Sequence, residues 1–267
     1  MESDLILQDT LTPSIEEIKN IPGAWIIHDL ISRSEAENFI SKVEFNEEID
    51  TTLRVRADDD YQASIKRISR RFKHDLPQLA EQIFDRLQGV IPKAVTFEKE
   101  DSELGPFLTG TWDFHSVNER ISFLKYGPGG VFSKHRDGIF IKNEDLRSLM
   151  TVLVYLNDSY EGGRTKCYND EETCECQIEP IVGDAFLMVQ RVLHEGGTVI
   201  SGFKYAARFD LMFYKRTEKS EEEISNNALA EKYLAMANEL ERSFQGQEAV
   251  KYYKLAFKLN PKLEEML

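Results

Sequence analysis

From about Trp112 to Tyr214 the apolar residues recur at every second position, and glycine turns interrupt them at short intervals. The stretch 149–156 sets the pattern. Leu149, Thr151, Leu153 and Tyr155 share one face of an extended strand, while Met150, Val152, Val154 and Leu156 share the other. One face is purely aliphatic and suits a core. The opposite face carries a hydroxyl and a phenol and suits a cavity. Further strands are expected at 120–126, 132–137, 166–168, 174–178, 185–189, 198–200 and 203–213. Gly127-Pro128-Gly129-Gly130, Gly162-Gly163, Gly183 and Gly196-Gly197 separate them. Short strands punctuated in this way predict a sandwich or jelly roll closing around a pocket.

The flanks read differently. Ser32-x-x-Glu35 and Ser34-x-x-Glu37 both offer a capping box, ahead of a stripe of Ala36, Phe39, Ile40 and Val43 at helical spacing. A second helix is expected from Asp75 as N-cap, with Pro77 in its first turn, Gly89 as its stop, and a stripe of Leu79, Ala80, Ile83, Phe84 and Leu87. The strand period ends at Lys215-Arg216. Ser220-x-x-Glu223 then offers a cap to a helix pair broken near Gly246. Its stripes, Tyr233, Met236, Ala237 and Leu240, then Ala249, Tyr253 and Ala256, resemble one tetratricopeptide repeat. The expectation is an α+β chain in which N-terminal support helices precede a double-stranded β-helix (jelly roll), followed by a C-terminal helical hairpin. The expected boundaries are 1–217 for the first domain (helical lead-in about 1–110, jelly roll about 112–216) and 218–267 for the hairpin. A lone repeat cannot bury its own faces, so the hairpin is expected to close on the jelly roll or to recruit a protein partner.

Charge excludes several function classes. Among 267 residues, 33 Lys and Arg stand against 47 Asp and Glu, a net charge of −14. Such a chain is a poor partner for nucleic acid or an anionic membrane, because that binding is driven by neutralising negative charge. The longest apolar run, 149–156, suits one buried strand and is too short to span a bilayer. No secretory leader is visible, and Cys167, Cys174 and Cys176 crowd into one segment, so a reducing, cytoplasmic setting is expected.

The chemistry lies in scarce residues. There are five histidines, His28, His74, His115, His135 and His194, and only His135 has a carboxylate two residues later, Asp137. Positions i and i+2 of a strand point to the same side, so this pair can share a metal, and downstream only His194 remains as a third ligand. Two imidazoles and one carboxylate, with one face left open, is the donor set of non-haem Fe(II) oxygenases. Ten residues past His194 lies Lys204, which shares a strand face with Ala206, Arg208 and Asp210. A Lys and an Arg pointing into a barrel are costly unless an anion pairs with them. A dicarboxylate chelating the metal at one end and reaching Lys204 at the other meets both demands.

At this point a resemblance is clear. Residues from about Gly23 to Arg216 resemble the Fe(II)/2-oxoglutarate-dependent dioxygenases of the prolyl 4-hydroxylase type. The matching pieces are Tyr126-Gly127-Pro128-Gly129, His135-Arg136-Asp137-Gly138, Thr151 to Asn157, Glu161-Gly162-Gly163, and His194-Glu195-Gly196 through Val199, Gly202 and Lys204. The resemblance implies that His135, Asp137 and His194 bind Fe(II) and that Lys204 pairs with the distal carboxylate of 2-oxoglutarate. Tyr126 or Tyr155 is expected to add a hydrogen bond there, and Thr151 is a further 2-oxoglutarate candidate. O2 is the second co-substrate, and ascorbate an additional candidate. Where relatives often carry Trp or another bulky residue six positions after the Lys, this chain has Asp210. With Arg208 it is expected on the substrate side, pairing internally or holding a polar substrate group.

The implied function is oxidative hydroxylation of an unactivated C–H in a prolyl or other aliphatic residue of a protein or peptide, with 2-oxoglutarate going to succinate and CO2. A small-molecule hydroxylase and a non-catalytic interaction protein using the hairpin are the alternatives. His28, His74 and His115 are expected in structural roles. The three thiols are expected free on a hairpin, since Cys-x-Cys is not a zinc spacing. Arg70 and Arg71 read as a solvated pair, with steering of an acidic substrate as the other option. The hydrophilic stretches 54–63 and 98–104 are candidate lids.

Overall fold

The computed structural model describes residues 5–43, 50–54, 64–98, 108–143, 145–169, 173–216, 221–243 and 245–263. The chain divides into two compact units, Met1–Arg216 and Thr217–Leu267. Among the described residues, no helix is long and apolar enough to cross a membrane.

The first unit is built on one curled, jelly-roll-like antiparallel sheet of fourteen strands. One wall runs β1 (Ser14–Glu17), β2 (Ala24–His28), β13 (Ala185–Val189), β9 (Leu146–Tyr155), β16 (Lys204–Lys215) and β7 (Arg120–Tyr126). The path continues through β4 (Ser64–Asp75) to a second wall of β8 (Val131–His135), β14 (Leu193–Gly196), β11 (Thr165–Tyr168) and β12 (Cys174–Ile178). Off this path β3 (Asp50–Arg54) pairs with β4, and β5 (Ala94–Phe97) pairs with β6 (Gly110–Val117), which joins β16. A separate ribbon pairs β10 (Tyr160–Gly162) with β15 (Val199–Gly202).

Strand alternation decides which side of the first wall is core. Phe123, Val152, Val154, Phe209 and Leu211 are fully buried against Leu79, Ile83 and Leu87 of the second helix and Phe39 of the first. Truncating a ring such as Phe123 to Ala would cost about 3–5 kcal/mol. The alternate positions, Leu124, Leu153, Ala206 and Arg208, face a cavity.

Several expectations need correcting. The lead-in is not mainly helical: it holds two helices, α1 (Arg33–Lys42) and α2 (Pro77–Leu87), among five strands. The 12-residue β4 escaped notice because only Ile65, Ile68 and Phe72 are apolar in it. The Ser32–Glu35 capping box caps α1 as expected. Asp75 does not cap α2. It ends β4 and pairs with Arg120 at 2.6 Å, while Leu76, with no side-chain bond, occupies the cap before Pro77. Proline at the first helical position forces its predecessor out of helical geometry, so the strand runs straight to the helix. Asp137 lies beyond β8, which ends at His135.

In the second unit, α3 (Glu221–Arg242) and α4 (Gly246–Leu259) are followed by a short 3-10 turn, Pro261–Leu263. The break between the helices falls just before Gly246, which opens α4. Ala230, Ala237, Ala249 and Ala256 are buried, so small side chains sit where the helices meet. The Tyr253 hydroxyl lies 2.7 Å from Asn238 Oδ1 and 2.7 Å from Glu241 Oε2. The cap residue Ser220 and the lid stretches 55–63 and 99–104 lie outside the described residues.

Candidate functional site

β8 and β14 are neighbours, and their register sets His135 directly opposite His194. The rings lie 4.2 Å apart between centroids, and the ligand atoms of His135, Asp137 and His194 all fall within 4.8 Å of one another. Each imidazole is aimed by the backbone. His135 Nδ1 donates to the Ser133 carbonyl at 2.8 Å, and His194 Nδ1 donates to the Val192 carbonyl at 3.0 Å. A carbonyl only accepts, so each Nδ1 carries the proton and each Nε2 lone pair is left to face the cavity. His135 Nε2 is buried without a hydrogen-bond partner and sits 3.4 Å from Asp137 Oδ1. Burial, then the neighbouring His135 ring, push His194 down to about 4, so its ring is neutral near pH 7. Two neutral-capable imidazoles, one carboxylate and an orphaned buried nitrogen fit a divalent metal of the iron class.

The Asp137 carboxylate has its own support. Burial alone would raise its pKa, but the His135 ring beside it and the Arg208 guanidinium hold it well below the usual carboxylate range. Arg208 Nη2 lies 3.3 Å from Asp137 Oδ2, and its Nη1 donates to Asp210 Oδ2 at 2.9 Å. Thr151 Oγ1 donates to Asp210 Oδ1 at 3.2 Å. Gln190 completes the group: its amide donates to Asp210 Oδ1 at 2.9 Å, and its carbonyl accepts from the Asp137 N–H at 3.1 Å. Arg208 and Asp210 thus pair with each other, the first of the two options the sequence offered, and Arg208 also reaches a metal-ligand candidate. Thr151 belongs to this same network and not to the Lys204 end of the cavity.

Lys204 stands at the other end, only 4% exposed. Its Nζ donates to the Gly163 carbonyl at 2.6 Å, and burial pushes its pKa down to about 8. Gly163 adopts φ +62°, and a Cβ there would meet Val199 Cγ2 at 2.9 Å, so the second glycine of Glu161-Gly162-Gly163 is required for this approach. The rings of Tyr126 and Tyr155 lie 6.0 and 5.7 Å from Nζ. Tyr126 lines the cavity, while Tyr155 donates its hydroxyl to Thr165 Oγ1 at 3.0 Å. Burial raises the pKa of both phenols, which keeps them as donors.

These groups share one cavity of about 220 Å³, lined by His135, Asp137 and His194, by Lys204 and Arg208, and by the apolar Phe132, Leu124 and Leu153. Residues missed by sequence reasoning also line it: Arg67 and Lys73, together with Arg71, come from β4. Arg67 stacks over Phe132 at 3.7 Å, and Phe132 stacks on the His135 ring at 3.5 Å. Alternating basic residues at 67, 71 and 73 were the available signal. Arg71 is half-buried in this strand and is not part of a solvated pair ahead of α2.

The other histidines lie elsewhere. His28 pairs with Asp184 at 2.8 Å, His74 stacks on Phe72, and His115 bonds Ser116. The three cysteines are free, on β11 and β12, and among the described residues only the His135, Asp137 and His194 group has metal-site geometry. Cys167 stands opposite His194 on one side and Cys176 on the other, so the row His135, His194, Cys167, Cys176 crosses four strands in register.

Residues 121–214 match the family model of the 2OG-Fe(II) oxygenase superfamily. Similar solved structures include a viral collagen prolyl hydroxylase from Paramecium Bursaria Chlorella virus-1 in its 2OG complex, 19% identical over 72% of this chain and 96% of that one, TM-score 0.44. A prolyl-4-hydroxylase from Pseudomonas putida is 17% identical over 73% of this chain and 93% of that one, TM-score 0.45. A prolyl hydroxylase from Trichoplax adhaerens, in complex with a hypoxia inducible factor peptide fragment, is 18% identical over 72% and 83%, TM-score 0.43. No curated protein matches the chain.

Proposed function

We propose that this chain, which carries a 2OG-Fe(II) oxygenase domain over residues 121–214 and is a 2-oxoglutarate- and Fe(II)-dependent dioxygenase, hydroxylates a prolyl or other aliphatic residue of a protein or peptide. The observation that carries this reading is the pairing, in one cavity, of an open-faced His135, Asp137 and His194 cluster with the buried cation Lys204.

Each residue has a task. His135, Asp137 and His194 hold the metal from one side, leaving the cavity side to co-substrate. Bound Fe(II) supplies the redox chemistry by which O2 and 2-oxoglutarate become succinate, CO2 and an oxygen atom delivered to the substrate carbon. Lys204, bonded to the Gly163 carbonyl, would pair with the distal carboxylate of 2-oxoglutarate, and Tyr126, whose ring lies 6.0 Å from Nζ, would stand near it. Arg208 orients Asp137 and is a positioning residue. Leu124, Leu153 and Phe132 exclude water from the space between the two ends. In this reading residues 1–217 are the oxygenase domain and 218–267 a hairpin resembling one tetratricopeptide repeat.

The size of the cavity favours a peptide over a small-molecule substrate. Sites that engulf a drug-sized ligand run to about 300–1,000 Å³, against about 220 Å³ here. Once a five-carbon dicarboxylate is seated, the room left suits one inserted side chain. The test adds Fe(II) and 2-oxoglutarate without oxygen and looks for a visible charge-transfer band, then screens peptides for substrate-stimulated succinate release. A band with His135, Asp137 and His194 intact, lost in Asp137→Ala, supports the reading; no band in the wild-type protein overturns it. A peptide that gains one oxygen atom at proline identifies the substrate class, and a response only to free small molecules favours the alternative.

A further inference from the structure

The cavity is charged out of proportion to the chain. The protein has a net charge of −14, yet among the described residues lining the cavity five cations, Arg67, Arg71, Lys73, Lys204 and Arg208, stand against one carboxylate, Asp137. The cations form two ridges. On β16 they are Lys204 and Arg208; on β4 they are Arg67, Arg71 and Lys73.

Register fixes how the ridges lie. Lys73 pairs with Ser122 of β7, and Ser122 with Arg208 of β16, so these three form one row across the sheet. Arg71, Leu124 and Ala206 form the next. The ridges are therefore two strands apart, on the order of 10 Å, with β7 as the floor between them. On the β16 ridge Arg208 is bound to Asp137 and Asp210, and Lys204 is the residue proposed to meet the co-substrate.

We infer that the β4 ridge of Arg67, Arg71 and Lys73 reads negative charge on the substrate, so that the peptide segment this oxygenase modifies carries Asp or Glu beside the target residue. This inference rests on the peptide reading of the site. Arg71 is half-buried and Lys73 exposed, so the ridge runs from the cavity to the surface, where an extended segment would pass. Arg67, stacked over Phe132, brings the inner end of the ridge next to the His135 ring. An acidic chain repels acidic partners at long range, so a local cationic ridge also selects which part of such a partner docks.

The test uses the full-length protein with Mn(II) in place of Fe(II), so that nothing turns over, and 2-oxoglutarate present. Two fluorescein-labelled probes are compared by anisotropy: a short prolyl peptide with glutamates on both sides of the proline, and its twin with glutamines. The acidic peptide should bind on the order of tenfold more tightly, and the difference should shrink as salt is raised. Arg71→Gln and Lys73→Glu should each reduce the preference, Arg71→Lys should retain most of it, and 2-oxoglutarate affinity should be unchanged in all three. Equal binding of the twins, or binding of neither, overturns the inference. A single-stranded oligothymidylate binding more tightly than the acidic peptide replaces the peptide with nucleic acid and overturns it too. Loss of 2-oxoglutarate binding by the wild-type protein would instead count against the oxygenase reading.

Discussion

The two ends of the cavity solve the problem of buried charge in opposite ways. At the metal end, Asp137 is answered within the chain by Arg208, which is itself answered by Asp210, and both imidazole N–H groups are met by carbonyls. At the far end, Lys204 has the Gly163 carbonyl, and burial alone depresses its pKa to about 8. One end has its carboxylates and guanidinium paired within the chain before any ligand arrives, with His135 Nε2 left open toward the cavity. The other carries a desolvated cation whose cost a carboxylate bound there would relieve. The contrast teaches which component the site is shaped to keep and which it is shaped to exchange.

The comparison breaks first at Asp137. Asp137→Ala removes a proposed metal ligand and leaves Arg208 with Asp210 and Thr151; turnover should fall to background and bound iron, read by metal analysis, should be lost. Succinate production near the wild-type rate would show that Asp137 is not a metal ligand.

Lys204→Ala acts at the other end. A charge-assisted hydrogen bond contributes roughly 1.5–3 kcal/mol, so 2-oxoglutarate should bind about ten- to a hundredfold more weakly, since 1.4 kcal/mol is tenfold. Iron content should not change. Arg208→Ala should show the reverse split: a roughly 10-fold or greater loss in metal affinity or activity, with a smaller change in the Kd for 2-oxoglutarate. Comparable losses of both ligands in both variants would erase the distinction between the ends.

Acidity sharpens the contrast further. A lysine titrating at about 8 is protonated below that pH and pairs with a dianion, so 2-oxoglutarate affinity should be flat up to pH 8 and then fall on the order of tenfold per pH unit. Stability runs the other way. The unfolded chain holds the Lys204 proton up to its ordinary value of 10.5, so between about 8 and 10.5 this group makes the ligand-free protein more stable as pH rises. Calorimetric titration across that range measures the first effect and thermal melting the second. An affinity that does not weaken above pH 8 would remove Lys204 from the carboxylate site.

The smallest effect is expected from Tyr155→Phe, which removes one buried hydrogen bond to Thr165 and should cost about 0.5–1.5 kcal/mol of stability. Because Tyr155 contributes its ring and not its hydroxyl to the surroundings of Lys204, 2-oxoglutarate affinity should change less than in Tyr126→Phe.

What was legible in the sequence follows from the same physics. Strand β9 and the long β16 announced themselves because one face of each is apolar against the core. His135, Asp137 and His194 stood out because imidazoles are scarce in this chain, and the structure brings the three together. β4 was illegible because its cavity face is basic, and a hydrophobic pattern cannot report a strand that faces charge. Gln190, and the contact Gly163 makes with Lys204, were missed for a different reason. Both act partly through backbone carbonyls, which every residue carries, so only register and approach distance single them out.

β4 pairs through Arg67 and Ile68 with β8 in one wall and through Arg70 to Asp75 with β7 in the other. Along that side the two walls are one continuous sheet, and neither can swing outward without peeling a ladder of hydrogen bonds from a 12-residue strand. Entry of substrate and departure of product are therefore movements of the rim and not of the body. A cavity stitched shut along one edge exchanges its contents without parting its walls there.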